Sequence, residues 1–543
     1  MDIEHNFFGR QDILGLLKRR VVDLKDGYRQ NIALLGNPYY GKSAILKHFA
    51  RNIDDHSLNI IYLDLQDKDF SYFLRQFVTG LLYRYCKNHG LALDERLDVL
   101  KESARARIPH TIQVISRIEE DFQKGKPAAA YLGLLMLPEV FTNETQQFCI
   151  LIIDEFQVFD QFDVPNIYQE LGKKIMTQKR CFYVLASSHP ALARRILSEK
   201  LSLLFGNFEM VNVGPFDAAT SQRFIEHNLG DIKMGATLRG FLTDFTGGHP
   251  LYLNLICREI NHLCALHKQS EAYVPVVSHA VENTLFDRWG IISRHFELLI
   301  NDLCHGSRGS QTYAGILISL ANGQHKPAQM AGDANVPRPQ LTQKLNRLQD
   351  MGIIVKNGSF YYFRDKLFRY WVKFIYQRRL RDIDLSPDKR RLEYKEAFQA
   401  SVEAFTDNSR KDFSARIMEL FSCFDNESLQ LNGRKYKLPL FREVVSLKIK
   451  NAQGQVYDTL KASAPDHDWL VILKKDSFRE NEVAAILQES RKMTRKPSRC
   501  LLISLGEIDD HARLKALQEK FWIWHERELN TLLNLYDKPY IVR

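Results

Sequence analysis

Gly36-Asn37-Pro38-Tyr39-Tyr40-Gly41-Lys42-Ser43 fits the pattern GxxxxGK[ST] in full. The apolar run Ile32-Ala33-Leu34-Leu35 leads into it and Ala44-Ile45-Leu46-Lys47 leads out, so the stretch reads as a strand, a tight loop and a helix. That context gives the pattern its meaning. Glycine lets the loop wrap closely, and the backbone N–H groups from Gly36 to Ala44 then face phosphates together with the helix N-terminus. In such a loop Lys42 reaches the β- and γ-phosphates of a nucleotide, and the Ser43 hydroxyl ligates Mg²⁺.

A partner for this loop lies further along. Cys149-Ile150-Leu151-Ile152-Ile153 reads as a buried strand, and it ends in Asp154-Glu155. Two carboxylates at the end of a buried strand are costly unless they serve an ion or a partner. Asp154 is the natural outer ligand to Mg²⁺, and Glu155 the candidate base that orients an attacking water. The strand Cys181–Ala186 ends in Ser187-Ser188-His189, where either serine could sense a γ-phosphate. Arg194 and Arg195 follow on a helix and read either as arginine fingers or as a solvated face. His249, in Gly248-His249-Pro250, either approaches the nucleotide or caps a helix.

Outward from these motifs, residues 1–215 alternate strand-like runs with helical patterns, the signature of a parallel sheet covered by helices. The expected strands are Asn31–Leu35, Asn59–Leu65, Phe148–Ile153 and Cys181–Ala186, with a helical insertion over about 72–142. Residues 216–288 read as a helical lid. Over 289–380 three helices precede two short strands, Ile353–Lys356 and Ser359–Phe363. These flank Asn357-Gly358, a dipeptide that favours a tight hairpin, and the whole reads as a winged helix-turn-helix. A basic, polar connector follows over about 377–395. The remainder of 381–543 mixes helices with at least two strands, Trp469–Leu473 and Cys500–Ser504. The fold class expected is α/β: a P-loop parallel sheet, a helical subdomain, a winged helix and a further C-terminal α/β domain.

The composition bounds the rest. With 543 residues, 45% hydrophobic and 26% charged, the chain is a multidomain globular protein. The third beyond residue 370 supplies more than half of the formal charge of +10, which permits a polyanionic partner without requiring one. Eight scattered cysteines without a CxxC pair exclude zinc-site spacing and read as reduced thiols. Met1-Asp2-Ile3-Glu4 lacks the layout of a signal peptide, and the most apolar stretch, Ala128–Leu137, is about half of a membrane crossing. A cytoplasmic location away from membranes is therefore expected.

Taken as one ordered set, Phe8-Gly9-Arg10, the loop at 36–43, the strand ending in Asp154-Glu155, the polar end at Ser187-Ser188, Gly247-Gly248-His249-Pro250 and the winged helix resemble the archaeal-type ATPases of the AAA+/STAND group, relatives of the initiator and origin-recognition ATPases. The resemblance covers about 5–380. It implies that Phe8 and Arg10 lie near the adenine base. It also implies that ATP versus ADP sets the packing of the later units, often with homo-oligomerisation. In that family a nuclease-like domain often follows the winged helix. Here Val456-Tyr457-Asp458 and Asp468–Lys474 resemble the strand pair of a PD-(D/E)xK fold, with Ile472 where that pattern needs a second acid. A decayed nuclease is the expectation.

Duplex DNA is the expected partner of the winged helix, through Arg338, Gln340, Gln343, Lys344 and Arg347 on a recognition helix at about 338–350. A second basic run, Arg491-Lys492, Arg495-Lys496 and Arg499, reads either as a phosphate-tracking patch or as a solvated turn. The leading expectation is an ATP-binding and ATP-hydrolysing molecular switch associated with DNA, and two rival readings stand beside it. One is a signalling scaffold that binds a protein partner without DNA. The other is a working metal-dependent nuclease whose second acid comes from Glu443 or Glu482.

Overall fold

Three of the five strands of the first sheet are apolar almost without interruption, and each is buried along nearly its whole length. They are β1 (Asn31–Gly36), β3 (Phe148–Asp154) and β4 (Cys181–Ser187), joined by β2 (Leu58–Asp64) and β5 (Phe208–Val213). Strands that lack a polar face must be covered on both sides, which is the condition of a parallel sheet. In the computed structural model all pairings in this sheet are parallel, in the order β2-β3-β4-β1-β5. The structure describes residues 7–541 except 67, 202–205, 207, 288, 305–309, 334–336, 382–386, 451–455, 466, 481, 485 and 488–495.

Helices α1 (Gln11–Lys25) and α2 (Lys42–Arg51) cover one face, where Leu17, Leu46 and Phe49 pack on Ile32, Ile152 and Val184. The other face carries α3 (Phe70–Asn88), α4 (Leu97–Arg105), α5 (Pro109–Gln123) and α6 (Pro127–Thr145), then α7 (Ile167–Thr177) and α8 (Pro190–Arg195). The apolar stretch at 128–137 lies in α6, where Ala130, Tyr131, Leu134, Leu135 and Leu137 are buried in the core and Leu132 and Met136 are exposed. Among the described residues no helix is long and apolar enough to cross a membrane.

The chain divides into compact units at Met1–Pro215 and Phe216–Arg543. The second begins with helices α9 (Ala218–Leu229), α10 (Ala236–Thr246), α11 (Pro250–Leu266) and α12 (Val274–Val281). Next come α13 (Ile291–Cys304), α14 (Ser310–Ala321), α15 (Pro327–Asp333) and α16 (Arg338–Asp350), followed by an antiparallel pair, β6 (Ile354–Asn357) and β7 (Phe360–Phe363). The turn lies one residue later than the dipeptide suggests: Asn357 pairs with Phe360, so Gly358-Ser359 forms the loop. Gly358 takes a φ of 62°, and a side chain there would meet the Ser428 carbonyl oxygen at 2.0 Å.

Helices α17 (Lys366–Trp371), α18 (Gln377–Arg381), α19 (Pro387–Arg410) and α20 (Phe413–Phe421) follow. The expected connector is largely helical, since α19 runs for 24 residues. Its basic residues are partly paired, Arg378 with Glu393, Arg379 with Glu297 and Arg391 with Glu282.

Among the described residues the rest holds seven strands, where the sequence predicts at least two. β8 (Glu427–Leu431) and β9 (Arg434–Leu438) form a hairpin. β10 (Glu443–Lys450), β11 (Val456–Ser463), β12 (Asp468–Lys474), β13 (Arg499–Ser504) and β14 (Trp522–Trp524) form a sheet in sequence order, antiparallel up to β12 and parallel beyond it. Helices α21 (Asp510–Gln518) and α22 (Glu526–Leu535) complete the chain. Residues 491–495 of the second basic run lie outside the described residues, and Lys496 and Arg499 are exposed.

Candidate functional site

In an open parallel sheet, ligands gather beyond the carboxyl ends of the strands, where neighbouring connections leave in opposite directions. Here β1 stands between β4 and β5, and the chain leaves it for β2 at the far edge. The ends of β1, β3 and β4 carry Gly36, Asp154 and Ser187, so the sheet gathers the three motifs along one edge.

The loop itself is shaped by two left-handed residues, Tyr39 at φ 63° and Gly41 at φ 90°. Gly36 lies so close to β5 that a Cβ would stand 2.4 Å from the Val213 carbonyl oxygen, which only glycine permits. Gly41 is the N-cap of α2 and offers no side-chain cap, leaving the first amides of the helix directed into the loop. Asn37 is half-buried, Pro38 and Tyr39 are exposed, and Tyr40 and Ala44 are half-buried around them. The Lys42 ammonium is buried and donates to the Asn37 carbonyl oxygen at 2.9 Å. Burial lowers its pKa from the ordinary value, against the pull of Glu155 and Asp154. A buried cation at the uncapped start of a helix suits an anion.

Asp154 is fully buried. Burial pushes its pKa above the ordinary value, and hydrogen bonds from Ser43 and Tyr62 work against that rise. Tyr62 donates from its hydroxyl to Asp154 Oδ2 at 2.9 Å, and the Glu155 amide donates to Oδ1 at 3.1 Å. This donor set suits a hard divalent cation: the Ser43 hydroxyl and the Asp154 carboxylate converge, both oxygen ligands, with no sulfur nearby. Ser43 and Asp154 are thus the residues able to hold Mg²⁺.

Glu155 leaves the strand in the left-handed region at φ 57°. Its carboxylate accepts from the Ser188 amide at 2.9 Å, from the Ser188 hydroxyl, and from Gln157 Nε2 at 2.6 Å. Gln157 also lies 3.3 Å from His189 Nδ1. Ser187 is fully buried and its hydroxyl accepts from the His189 amide at 3.0 Å, so of the two serines Ser188 is the one at the carboxylate.

Arg194 is exposed and donates to Asn212 Oδ1 at 2.6 Å. Phe8 and Arg10 are half-buried at the start of α1. The Arg10 guanidinium donates to the Gly214 carbonyl and, at 3.4 Å, to the Tyr40 carbonyl, so it abuts the loop. Beside it, Phe7 stacks on His48 with ring centroids 4.0 Å apart.

His249 belongs to the second unit. It is buried, stacks on Tyr252 at 3.8 Å, and stands at the N-cap of α11 without a side-chain cap bond. Burial holds its pKa down at about 3. Of the two expectations for it, the N-cap position is the one this geometry provides, with the His249 carbonyl accepting from the Leu253 amide at 3.0 Å.

Three participants escape the sequence motifs: Tyr62, Gln157 and Asn212. Tyr62 left a faint signal, because a tyrosine two residues before Asp64 interrupts an aliphatic run on the face shared with Asp154.

In the second unit, Asp458 pairs with Leu473, so its side chain shares a face with that residue, and Lys474 falls on the opposite face. Lys474 instead bonds Glu482 at 2.7 Å, and the other Glu482 oxygen accepts from the Arg479 amide at 2.7 Å. Asp458 and Lys474 are therefore not assembled into one centre. No cluster of three potential metal ligands occurs among the described residues.

No protein-family profile matches the chain, and no curated protein does. Among solved structures, the chain is similar to a Walker-type ATPase of Pyrococcus abyssi, at 16% identity over 67% of this chain and 96% of that one, with a TM-score of 0.46. It is also similar to the ORC2 protein of Aeropyrum pernix, solved as ADPNP–ADP complexes (11% identity, 70% and 98% coverage, TM-score 0.45). The ORC1 protein of Aeropyrum pernix in complex with DNA matches at 12% identity over 68% and 92%, with a TM-score of 0.37. Likeness at this level says nothing of what this chain binds or does.

Proposed function

We propose that the chain is a P-loop ATPase of the AAA+/STAND type, a slow ATP-driven switch that acts on duplex DNA. One observation carries the reading. A buried lysine in a glycine-shaped loop, a serine at the first turn of the following helix and a strand end with Asp154 buried and Glu155 half-buried occupy one edge of one parallel sheet. Each supplies a different requirement of phosphoryl transfer to water. The loop amides and Lys42 hold the β- and γ-phosphates. Ser43 and Asp154 would hold Mg²⁺, which would neutralise charge developing on the phosphate oxygens. Glu155 orients the attacking water and accepts its proton as ADP leaves, and Ser188 governs how free Glu155 is to do so. Phe7, Phe8 and Arg10, beside the loop, supply an aromatic and cationic wall for the base.

For DNA, the support is α16 in a winged-helix setting. Arg338, Gln340, Gln343 and Arg347 are exposed along it, while Leu341, Leu345 and Leu348 are buried. Lys344 and Arg347 lie over the Tyr313 ring at 4.2 and 5.9 Å.

A second reading, a scaffold that engages a protein partner without DNA, is favoured by the hairpin tip. Asn357 Nδ2 donates to the Gln430 carbonyl at 2.8 Å, and the Gln430 amide donates to Asn357 Oδ1 at 2.6 Å. A tip tied to β8 in this way is not free to enter a groove.

Steady-state ATP hydrolysis with and without duplex DNA, at low and moderate salt and with Lys42→Ala as the blank, separates the two. Salt-sensitive stimulation supports the switch on DNA. Turnover indifferent to DNA supports the scaffold, and turnover equal to the blank removes the ATPase reading.

A further inference from the structure

Tyr62 stands where the ion site needs a second support. In the register of the sheet Tyr62 pairs with Ile152 and Asp64 with Asp154, so Tyr62 and Asp154 share the face covered by α2. Lys47, one helical turn beyond Ser43, lies 5.3 Å from the centroid of the Tyr62 ring and 3.8 Å from Asp64. The ring is thereby fixed between helix and strand, with its hydroxyl 2.9 Å from Asp154 Oδ2 and within hydrogen-bonding reach of Ser43.

We propose that Tyr62 is a positioning residue for the cation, holding the Asp154 carboxylate so that one oxygen faces the metal shell at Ser43. The proposal rests on reading Ser43 and Asp154 as the Mg²⁺ ligands. The terminal torsion of an aspartate is broad, so its rotamer alone does not fix where each oxygen points. Here Oδ2 is engaged by Tyr62 and Oδ1 lies 3.1 Å from the Glu155 amide. When the Ser43 hydroxyl turns to a cation, Asp154 loses that donor, and the Tyr62 hydroxyl is the side-chain donor it keeps. Packing requires the ring, which phenylalanine would supply equally well. Only the hydroxyl serves the carboxylate. Partners of this kind, which orient a ligand without touching the ion, commonly contribute roughly 10–100-fold to metal affinity.

The test separates the hydroxyl from the fold. Binding of a fluorescent ATP analogue is measured in EDTA and then across a Mg²⁺ titration, for wild type, Tyr62→Phe, Ser43→Ala and Lys42→Ala. Mn²⁺ binding to the nucleotide complex, read by electron paramagnetic resonance, gives the ion affinity directly. The expected result is that Tyr62→Phe keeps the wild-type affinity in EDTA and the wild-type melting midpoint, while its Mg²⁺ midpoint rises about tenfold. Ser43→Ala sets the scale for loss of a direct ligand. An unchanged Mg²⁺ midpoint in Tyr62→Phe overturns the proposal, and so does an equal loss of affinity with and without the ion, which would leave Tyr62 a purely structural role. If wild type binds the analogue through Lys42 but gains nothing from Mg²⁺, the ion reading itself falls and the proposal with it.

Discussion

On the proposed reading, Ser188→Ala should make ATP hydrolysis faster. In the arrangement described, three donors converge on the Glu155 carboxylate: the Ser188 amide, the Ser188 hydroxyl and Gln157 Nε2. Each donor occupies a lone pair that an attacking water would need, so a carboxylate held this way is restrained from engaging that water. Hydrogen bonds to a charged group contribute about 1.5–3 kcal/mol each. Removal of the hydroxyl leaves two donors and admits water, so a net release of roughly 1 kcal/mol is a fair magnitude, or about fivefold in the fraction of Glu155 free to act. The assay is single-turnover hydrolysis at saturating ATP and Mg²⁺, with nucleotide affinity measured alongside. The rate constant should rise about threefold to tenfold with affinity unchanged, and Gln157→Ala should move it in the same direction. A slower Ser188→Ala enzyme with normal affinity would refute the reasoning, because Ser188 would then be aligning Glu155 rather than restraining it.

Lys42→Ala should weaken ATP binding by about 2–5 kcal/mol, read by calorimetry, since it removes a buried cation from the phosphate site. Glu155→Gln should retain ATP binding while hydrolysis falls roughly 10²–10⁴-fold, and normal turnover would remove Glu155 from its role. Joint reversal of Arg338 and Arg347 to Glu should lower duplex affinity and reduce the slope of log affinity against log salt by about 2, with ATP binding intact. Asp537→Asn should lower the melting midpoint at pH 7. Burial alone would raise the Asp537 pKa, but hydrogen bonds from His325 and Arg369 hold it well below the ordinary value. A depressed folded pKa contributes stability above the unfolded value of about 3.9 and loses it as pH falls further. The gap between variant and wild type should therefore close below about pH 4, as melting curves across pH would show.

The phosphate loop was legible because its constraints are local. Gly36 and Gly41 are dictated by close approach and positive φ, Lys42 and Ser43 follow at fixed spacing, and β1, β3 and β4 are buried on both faces and so read as continuous apolar runs. β5 escaped because Glu209, Met210 and Asn212 interrupt its pattern at the sheet edge, where one flank is solvated. Tyr62 and Gln157 escaped for a different reason. Their place at the site comes from hydrogen bonds to residues 92 and 2 positions away, and neither stands in a motif. The C-terminal strands were the least legible, since β8 and β9 are only five residues each and Lys435 and Lys437 in β9 and Lys448 and Lys450 in β10 break the apolar pattern. Where Asp458 and Lys474 suggested a shared centre, register decides against it: adjacent positions on facing strands fall on opposite faces of the sheet.

Asn357-Gly358 brings local and tertiary demands into direct conflict. Alone, the dipeptide is a strong turn former, with both residues suited to positive φ. In the folded chain Asn357 stays in the strand, because its amide makes two hydrogen bonds to the backbone of Gln430 that a turn position would forfeit. Gly358 then opens the loop, where its missing side chain allows the tip to lie against Ser428. The consequence reaches function, because α16 and the β6–β7 tip become separable. The polar face of α16 is exposed, whereas the tip is committed to β8. DNA contact through α16 can therefore persist in this arrangement, and contact through the tip requires the Asn357–Gln430 pair to part. A wild-type affinity that Asn357→Ala increases would mean that the tip is a restrained DNA element. An affinity that responds only to Arg338 and Arg347 would mean that β6–β7 serves to dock the C-terminal sheet, and that α16 reads the duplex alone.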